Sequence, residues 1–242
     1  MYEQISANKR NTYLLLIGFT IFVIFLGWVF GELFFGGLGY IGIFIAVILS
    51  LVFVLFGYYF SDKIVLSISH AREVKKEEYP YLFNILEALS IGAGIPQPKA
   101  YVIDDTALNA FATGRDPQHS VVVVTTGIMQ KLNRQELEGV IAHELSHIKN
   151  YDIRLMTLVV VFVGIVALMS DIMIRSFLWG GGRNRDSKGG NFQIILIVIG
   201  IILAILAPII ATLIKLAISR EREYLADASG AYLTRNPEGL AS

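Results

Sequence analysis

The chain of 242 residues has no cysteine, only four histidines and few charges, with Asp, Glu, Lys and Arg together making up 17%. Without cysteine there are no disulfides, thiolate metal ligands or cysteine nucleophiles, and the composition fits a reducing compartment. Twenty basic residues balance twenty acidic ones. No global positive field exists to hold nucleic acid, so the basic residues bear on topology through their local placement. Charge is scarce because hydrophobic residues reach 55%, with a mean hydropathy of +0.61. That is the composition of a membrane protein.

Two of the four histidines stand together in His143-Glu144-Leu145-Ser146-His147. In a helix of about 3.6 residues per turn, positions i and i+4 lie one above the other, so both imidazoles can close on one metal ion. Two neutral imidazoles at this spacing suit Zn2+, and Glu144 on the neighbouring flank is placed to act as a base without being a ligand. The bland alternative is an amphipathic helix with two incidental histidines. The context favours the site: Asn133 and Glu136 have the spacing of a capping box. Leu137, Val140, Ile141, Leu145 and Ile148 follow at helical spacing, burying one face while the histidines share another.

Four apolar blocks surround this helix. Tyr13 to Phe30 is apolar apart from Thr20 and, at about 1.5 Å per residue, long enough to cross a bilayer core of about 30 Å. It is too long for a signal-peptide core and no A-x-A site follows, so it is expected to be retained as an anchor. Residues 31–39 form a glycine-rich turn, and Tyr40 to Phe60 a second span, so residues 1–60 make a transmembrane hairpin. Gly27 and Gly31 have GxxxG spacing, a weak signal beside a glycine-rich turn. Lys9 and Arg10 precede the hairpin and Lys63, Arg72, Lys75 and Lys76 follow it, which places both flanks in the cytoplasm.

Residues 61–154 are the one extended polar region, enough for a small mixed α/β domain. Tyr81, Leu82, Ile85, Leu86 and Leu89 line one face of a helix over 78–89, stopped by Gly92, Gly94 and Pro96. Short strands are expected over 100–103, 107–112 and 121–125, so that a small sheet precedes the metal helix. Two further apolar blocks cover about 155–178 and 192–218. In the first, Asp171 and Arg175 stand at i and i+4 near the end of the block and can pair within the helix. The loop between the blocks does not match a nucleotide-binding GxxxxGK[ST]. Pro208 is tolerable as a kink, and Lys215 can snorkel to the interface.

Residues 219–242 are polar again, and Glu223 and Asp227 stack on one face of a helix there. A zinc site on an HExxH helix needs a third protein ligand, and Glu223 is the first candidate, with His119 and His70 as rivals. Asp227 would then support a ligating imidazole through its outer N–H. For Glu223 to reach the histidines, the intervening chain must cross the bilayer an even number of times, which two spans satisfy. Arg183, Arg185 and Lys188 would then lie outside, against the positive-inside rule. Re-entrant placement of both blocks also satisfies parity.

The hairpin, Asp104-Asp105 followed by Asn109-Ala110-Phe111-Ala112-Thr113-Gly114, HELSH in a helix, two more apolar blocks and Glu223 to Asp227 resemble, in this order, the HtpX-type membrane proteases. These are relatives of the CAAX prenyl protease. The likeness runs along essentially the whole chain. It implies an α-helical multi-pass membrane protein with a small mixed α/β zinc-metalloprotease domain, gluzincin-like, with one Zn2+ per chain. It further implies an inner or plasma membrane location, an active site facing the cytoplasm, and cleavage of misfolded or damaged membrane proteins, with other quality-control proteases as partners. By the same resemblance, Asn109 to Gly114 would form an edge strand and loop to which substrate adds as a strand. Family members continue past the equivalent of Ser242 into a segment with a further His or Arg near the active site, so the chain is expected to be a fragment lacking the oxyanion-stabilising group.

Two readings of other classes compete. A transporter would use Asp171 and Arg175 as an intramembrane pathway, which four blocks with one charged pair and a large polar domain fit poorly. A non-catalytic scaffold would keep the fold and a structural zinc, and the intact HELSH argues against it.

Overall fold

A computed structural model describes residues 2–34, 39–180, 212, 214 and 219–238. The chain opens with two long helices, α1 (Tyr2–Phe34) and α2 (Gly39–Ile68). Both outrun the expected apolar blocks: α1 starts ahead of Lys9 and runs through Gly31 into the expected turn, and α2 continues past Phe60 to Ile68. Their segments Glu3–Val29 and Gly39–Ile68 are long and apolar enough to cross a membrane. Leu15, Phe19, Val23 and Leu26 of α1 are buried at helical spacing, while Leu14, Ile17 and Ile21 face outward. On α2 the buried positions are mostly small: Gly39, Gly42, Ala46, Ser50, Gly57 and Ser61. Small residues let the two backbones approach closely, with Gly27 against Gly42 and Ala46 and Gly39 against Trp28, the packing that works where lipid offers no hydrophobic drive for association. The GxxxG spacing is part of this contact. A Cβ on Gly31 would stand 2.9 Å from Gly39 Cα, and one on Gly27 would collide with Ala46 Cβ and the Gly42 carbonyl.

The polar region folds as a four-stranded sheet with helices. In chain order it contains β1 (Arg72–Glu73), α3 (Pro80–Ala93), β2 (Lys99–Ile103), β3 (Ala110–Asp116), β4 (His119–Thr125) and α4 (Thr126–Lys131). The spatial order is β1-β2-β4-β3, with β2 and β4 parallel and the other pairs antiparallel. Val121 to Val124 are all buried because the sheet is covered on both faces. Val122 and Val124 join Leu82, Leu86, Leu137, Ile141 and Leu145 in the main core. Val121 and Val123 meet Leu66 near the end of α2, with Tyr101, Ile103 and Phe111 around them.

Three local expectations shift. Helix α3 runs on past Gly92 and ends at Gly94, whose φ of 70° caps it in the left-handed region. The strand expected over 107–112 begins at Ala110. Before it, Asp105 accepts from the Ala107 N–H and Thr125 Oγ1 donates to the Ala107 carbonyl, so side chains satisfy backbone that a ladder would otherwise pair. The strand then runs to Asp116 through a bulge after Gly114. At φ 137° Gly114 lies where a Cβ would strike the His119 carbonyl, so only glycine fits.

Helix α5 (Arg134–Lys149) starts at a complete capping box: Asn133 Oδ1 accepts from the Gln135 and Glu136 N–H groups, and Glu136 accepts from the Asn133 N–H. It ends at Asn150. Tyr151 follows at φ 60°, and α6 (Asp152–Gly180) begins at once. Asp171 and Arg175 on α6 are paired at 2.7 Å. The last described helix, α7 (Arg220–Thr234), packs on α5 and α3. The chain groups into two compact units, Met1–Leu158 with Arg220–Ser242, and Val159–Ser219. The expected loop over 180–191 and block over 192–218 fall, apart from Gly180, Thr212 and Ile214, outside the described residues.

Candidate metal centre

His143 and His147 lie one turn apart on α5 with their Nε2 atoms 3.1 Å from each other. From α7, Glu223 Oε2 stands 3.4 Å from His143 Nε2 and 3.7 Å from His147 Nε2. Donors held about 2.0–2.2 Å from a tetrahedral ion are themselves separated by about 3.3–3.6 Å, so the three atoms have the spacing of a metal face. Among the described residues this is the group of His, Asp and Glu able to hold an ion. His119 is paired with Asp116 at 2.7 Å, and neither it nor His70 joins the group.

The other side of each ring is held by a carboxylate. His143 Nδ1 donates to Asp227 Oδ1 at 2.8 Å and His147 Nδ1 to Asp152 Oδ2 at 2.9 Å. Ionised carboxylates only accept, so both protons sit on Nδ1 and both Nε2 lone pairs face Glu223. This fits a divalent cation with a preference for nitrogen and oxygen donors. Burial works against a charged His147, but the Asp152 hydrogen bond and the charges of Glu144, Asp152 and Glu223 outweigh it and raise its pKa. The site therefore carries surplus negative charge that a cation would neutralise.

Glu144 projects from the same helix toward β3. Burial pushes its carboxyl up to about 7, against the lowering effects of His147 and of a hydrogen bond from the Ala112 N–H, while Glu223 raises it further. A carboxyl tuned to that range can take a proton and give it back near neutral pH. Ala112 lies in β3, the sheet's edge, and α5 packs against that strand. Ala110, Phe111, Ala112, Thr113 and Gly114 belong to β3, whereas Asn109 precedes it, its N–H donating to Thr125 Oγ1 and its carbonyl accepting from the Thr125 N–H.

Three neighbours escaped sequence reasoning. Asp152 follows His147 by five residues at the start of α6, a spacing that could have raised it as a partner for the ring. Arg222 of α7 is buried with its Nε and Nη2 unpaired. Burial lowers its pKa, while Asp152 and Glu223 oppose that shift. Asn8, on α1, donates to Asp152, and nothing in its sequence context marks it.

Two imidazoles from an HExxH helix meeting a carboxylate from a second helix, in a chain led by two apolar helices, define a membrane-bound metalloprotease. The model of peptidase family M48 matches residues 76–242. The chain is 51% identical over 241 residues to a protease HtpX homolog of Dictyoglomus turgidum, covering 100% of this chain and 77% of the relative. Homologs of the same name from Thermoanaerobacter pseudethanolicus and Listeria monocytogenes are 47% identical over 243 residues and 46% over 249, covering 100% and 99% of this chain and 81% of each relative. The crystal structure of S. mikatae Ste24p is similar with a TM-score of 0.48 at 19% identity, covering 96% of this chain and 57% of that one. The chain belongs to peptidase family M48, and the transporter and scaffold readings fall away.

Proposed function

We propose that the metal is Zn2+, one per chain, held by Nε2 of His143, Nε2 of His147 and the carboxylate of Glu223, and that the protein uses it to hydrolyse peptide bonds in misfolded or damaged membrane proteins. The observation that carries this is the mutual spacing of those three atoms, all within 4.8 Å of one another. When bound, zinc supplies Lewis acidity toward a water molecule and toward the scissile carbonyl. Glu144, held by the Ala112 N–H, takes the proton from the attacking water and delivers it to the leaving amine. Asp227 and Asp152 keep the imidazoles in the tautomer that presents Nε2. Residues Ala110 to Gly114 offer an open strand edge to which an extended polypeptide adds, and Asn109 borders it.

Substrate in an extended, unfolded state suits that edge, and the membrane hairpin keeps the site near polypeptides in the bilayer. Lys9 and Arg10 toward the start of α1, Lys63 toward the end of α2, and Arg72, Lys75 and Lys76 beyond it support a cytoplasmic active site in the inner or plasma membrane, in a chain that crosses it more than once. Other quality-control proteases are the partners expected in such work.

Glu144→Gln tests the assignment, because it removes the base and keeps every ligand. Metal analysis should find zinc at wild-type stoichiometry while cleavage of an unfolded protein such as casein falls by about 10²- to 10⁴-fold. Zinc lost from Glu144→Gln as fully as from His147→Ala would give Glu144 a different role.

A further inference from the structure

The first turns of α1 touch the corner where α5 gives way to α6. Asn8 is 3% exposed although it is polar and precedes the apolar run. Its Nδ2 donates to the Asn150 carbonyl at 2.9 Å and also to Asp152 Oδ1. Thr12 Oγ1 donates to the Asn8 carbonyl at 2.8 Å. The Lys9 ammonium lies 4.3 Å from the centre of the Tyr151 ring. Tyr151 is itself at φ 60°, a conformation that a bulky residue keeps only when its surroundings hold it.

Asp152 is where this contact meets the metal centre. One oxygen, Oδ1, takes the amide of Asn8 from α1, and the other, Oδ2, takes the Nδ1–H of His147. A carboxylate with one partner can swing about its side-chain torsions, whereas one gripped at both oxygens has a fixed plane. Since the ring of His147 follows that plane, the direction of its Nε2 lone pair follows it too. Asn8 also suits the task by being neutral. It orients Asp152 without taking up the negative charge that His147 uses.

We propose that Asn8 is a positioning residue of the metal centre, acting through Asp152 on His147, so that the N-terminal membrane helix forms a working part of the active site. This deepens the zinc assignment and rests on it. The plainer alternative is that Asn8 merely caps the end of α5 and glues α1 to the corner.

The test is zinc affinity of the full chain in detergent, read by competition with a chromogenic chelator. Asn8→Leu should weaken zinc about tenfold, at the lower end of what support residues contribute. Placed on an Asp152→Ala background, it should cost nothing further, because its route to His147 is gone. Lys9→Met, which loosens the same corner without touching Asp152, should leave affinity within about twofold, because the ammonium meets the Tyr151 ring and has no route to His147. Unchanged affinity in Asn8→Leu overturns the proposal. So does an undiminished effect on the Asp152→Ala background, or an equal loss in Lys9→Met, since either would mean that packing of α1 is what matters. If Asn8→Leu does not accumulate, Asn8→Ser is read by the same criteria. Wild-type protein that binds no zinc would overturn the zinc assignment itself, an outcome distinct from wild-type binding that Asn8 does not influence.

Discussion

The two histidines of HELSH are equivalent in the motif and unlike in the fold. The His143 side chain is 19% exposed, and the Asp227 carboxylate that holds it is 56% exposed. The His147 side chain is 5% exposed and its partner Asp152 is 1% exposed. One ring is steadied by a carboxylate on the solvent side of α7. The other is steadied from inside the protein by a residue that α1 grips in turn. A hydrogen bond shared with water competes with bulk solvent, and a buried one does not. The inner half of the centre should therefore be rigid and intolerant, and the outer half forgiving.

The largest expected effect is at the inner side. Asp152→Ala should weaken zinc by about a hundredfold, the upper end for loss of a ligand's support, and Asp227→Ala by about tenfold. Chelator competition on both variants checks the order, and a larger loss at Asp227 would reverse the comparison. A middling effect separates ligand support from base support. Ala112→Pro removes the N–H that holds Glu144. The ladder with β4 should survive, because this N–H faces the edge carboxylate and proline is tolerated on edge strands. Cleavage should slow by about tenfold, less than the roughly 10²- to 10⁴-fold expected when the base itself is lost, with zinc affinity unchanged, as seen by steady-state kinetics beside the same competition assay.

The smallest effect lies at the sheet rim, where an exposed pair gives the reference for the buried ones. The Lys99 hydrogen bond, first, and the Tyr101 hydroxyl hold the Glu73 carboxyl below its ordinary value of 4.5, against burial. A depressed carboxylate pKa contributes stability that is present above 4.5 and is lost as pH falls through the lower folded value. Glu73 is half exposed, so the contribution should stay below about 1 kcal/mol. Denaturant titrations of wild type and Glu73→Gln should differ near neutrality and converge in acid.

What the sequence disclosed was whatever repeats or sits close along the chain. The capping box at Asn133, the apolar face of α5 and the spacing of His143 and His147 are all local, and each is legible from fewer than twenty residues. Glu223 and Asp227 were reachable because a site with two ligands demands a third, and few residues could supply it. The strand from Ala110 to Asp116 was misplaced because apolar character starts at Ala107, whereas the strand starts only where side chains stop satisfying the backbone. Strand β1, two residues long, has no periodicity to read. Asn8 and Asp152 belong to a contact between elements more than a hundred residues apart, and neither end carries a pattern that names the other. The hairpin glycines lie between these cases: their spacing was visible, but their use depends on small residues of α2 lying opposite.

Asp227 is 84 residues from the ring that it supports, and Glu223 approaches from the same helix. An ion bound there would tie α7 to α5 across all the intervening chain, closing a very long loop. Such a tie restricts the unfolded chain far more than a contact between sequence neighbours does. Zinc would then be a removable cross-link as well as a reagent. With the ion stripped, α7 would be left with the hydrogen bond from His143 to Asp227 and side-chain packing such as that of Leu233 near Gly92, and α7 should be the first of the described helices to open to an added protease.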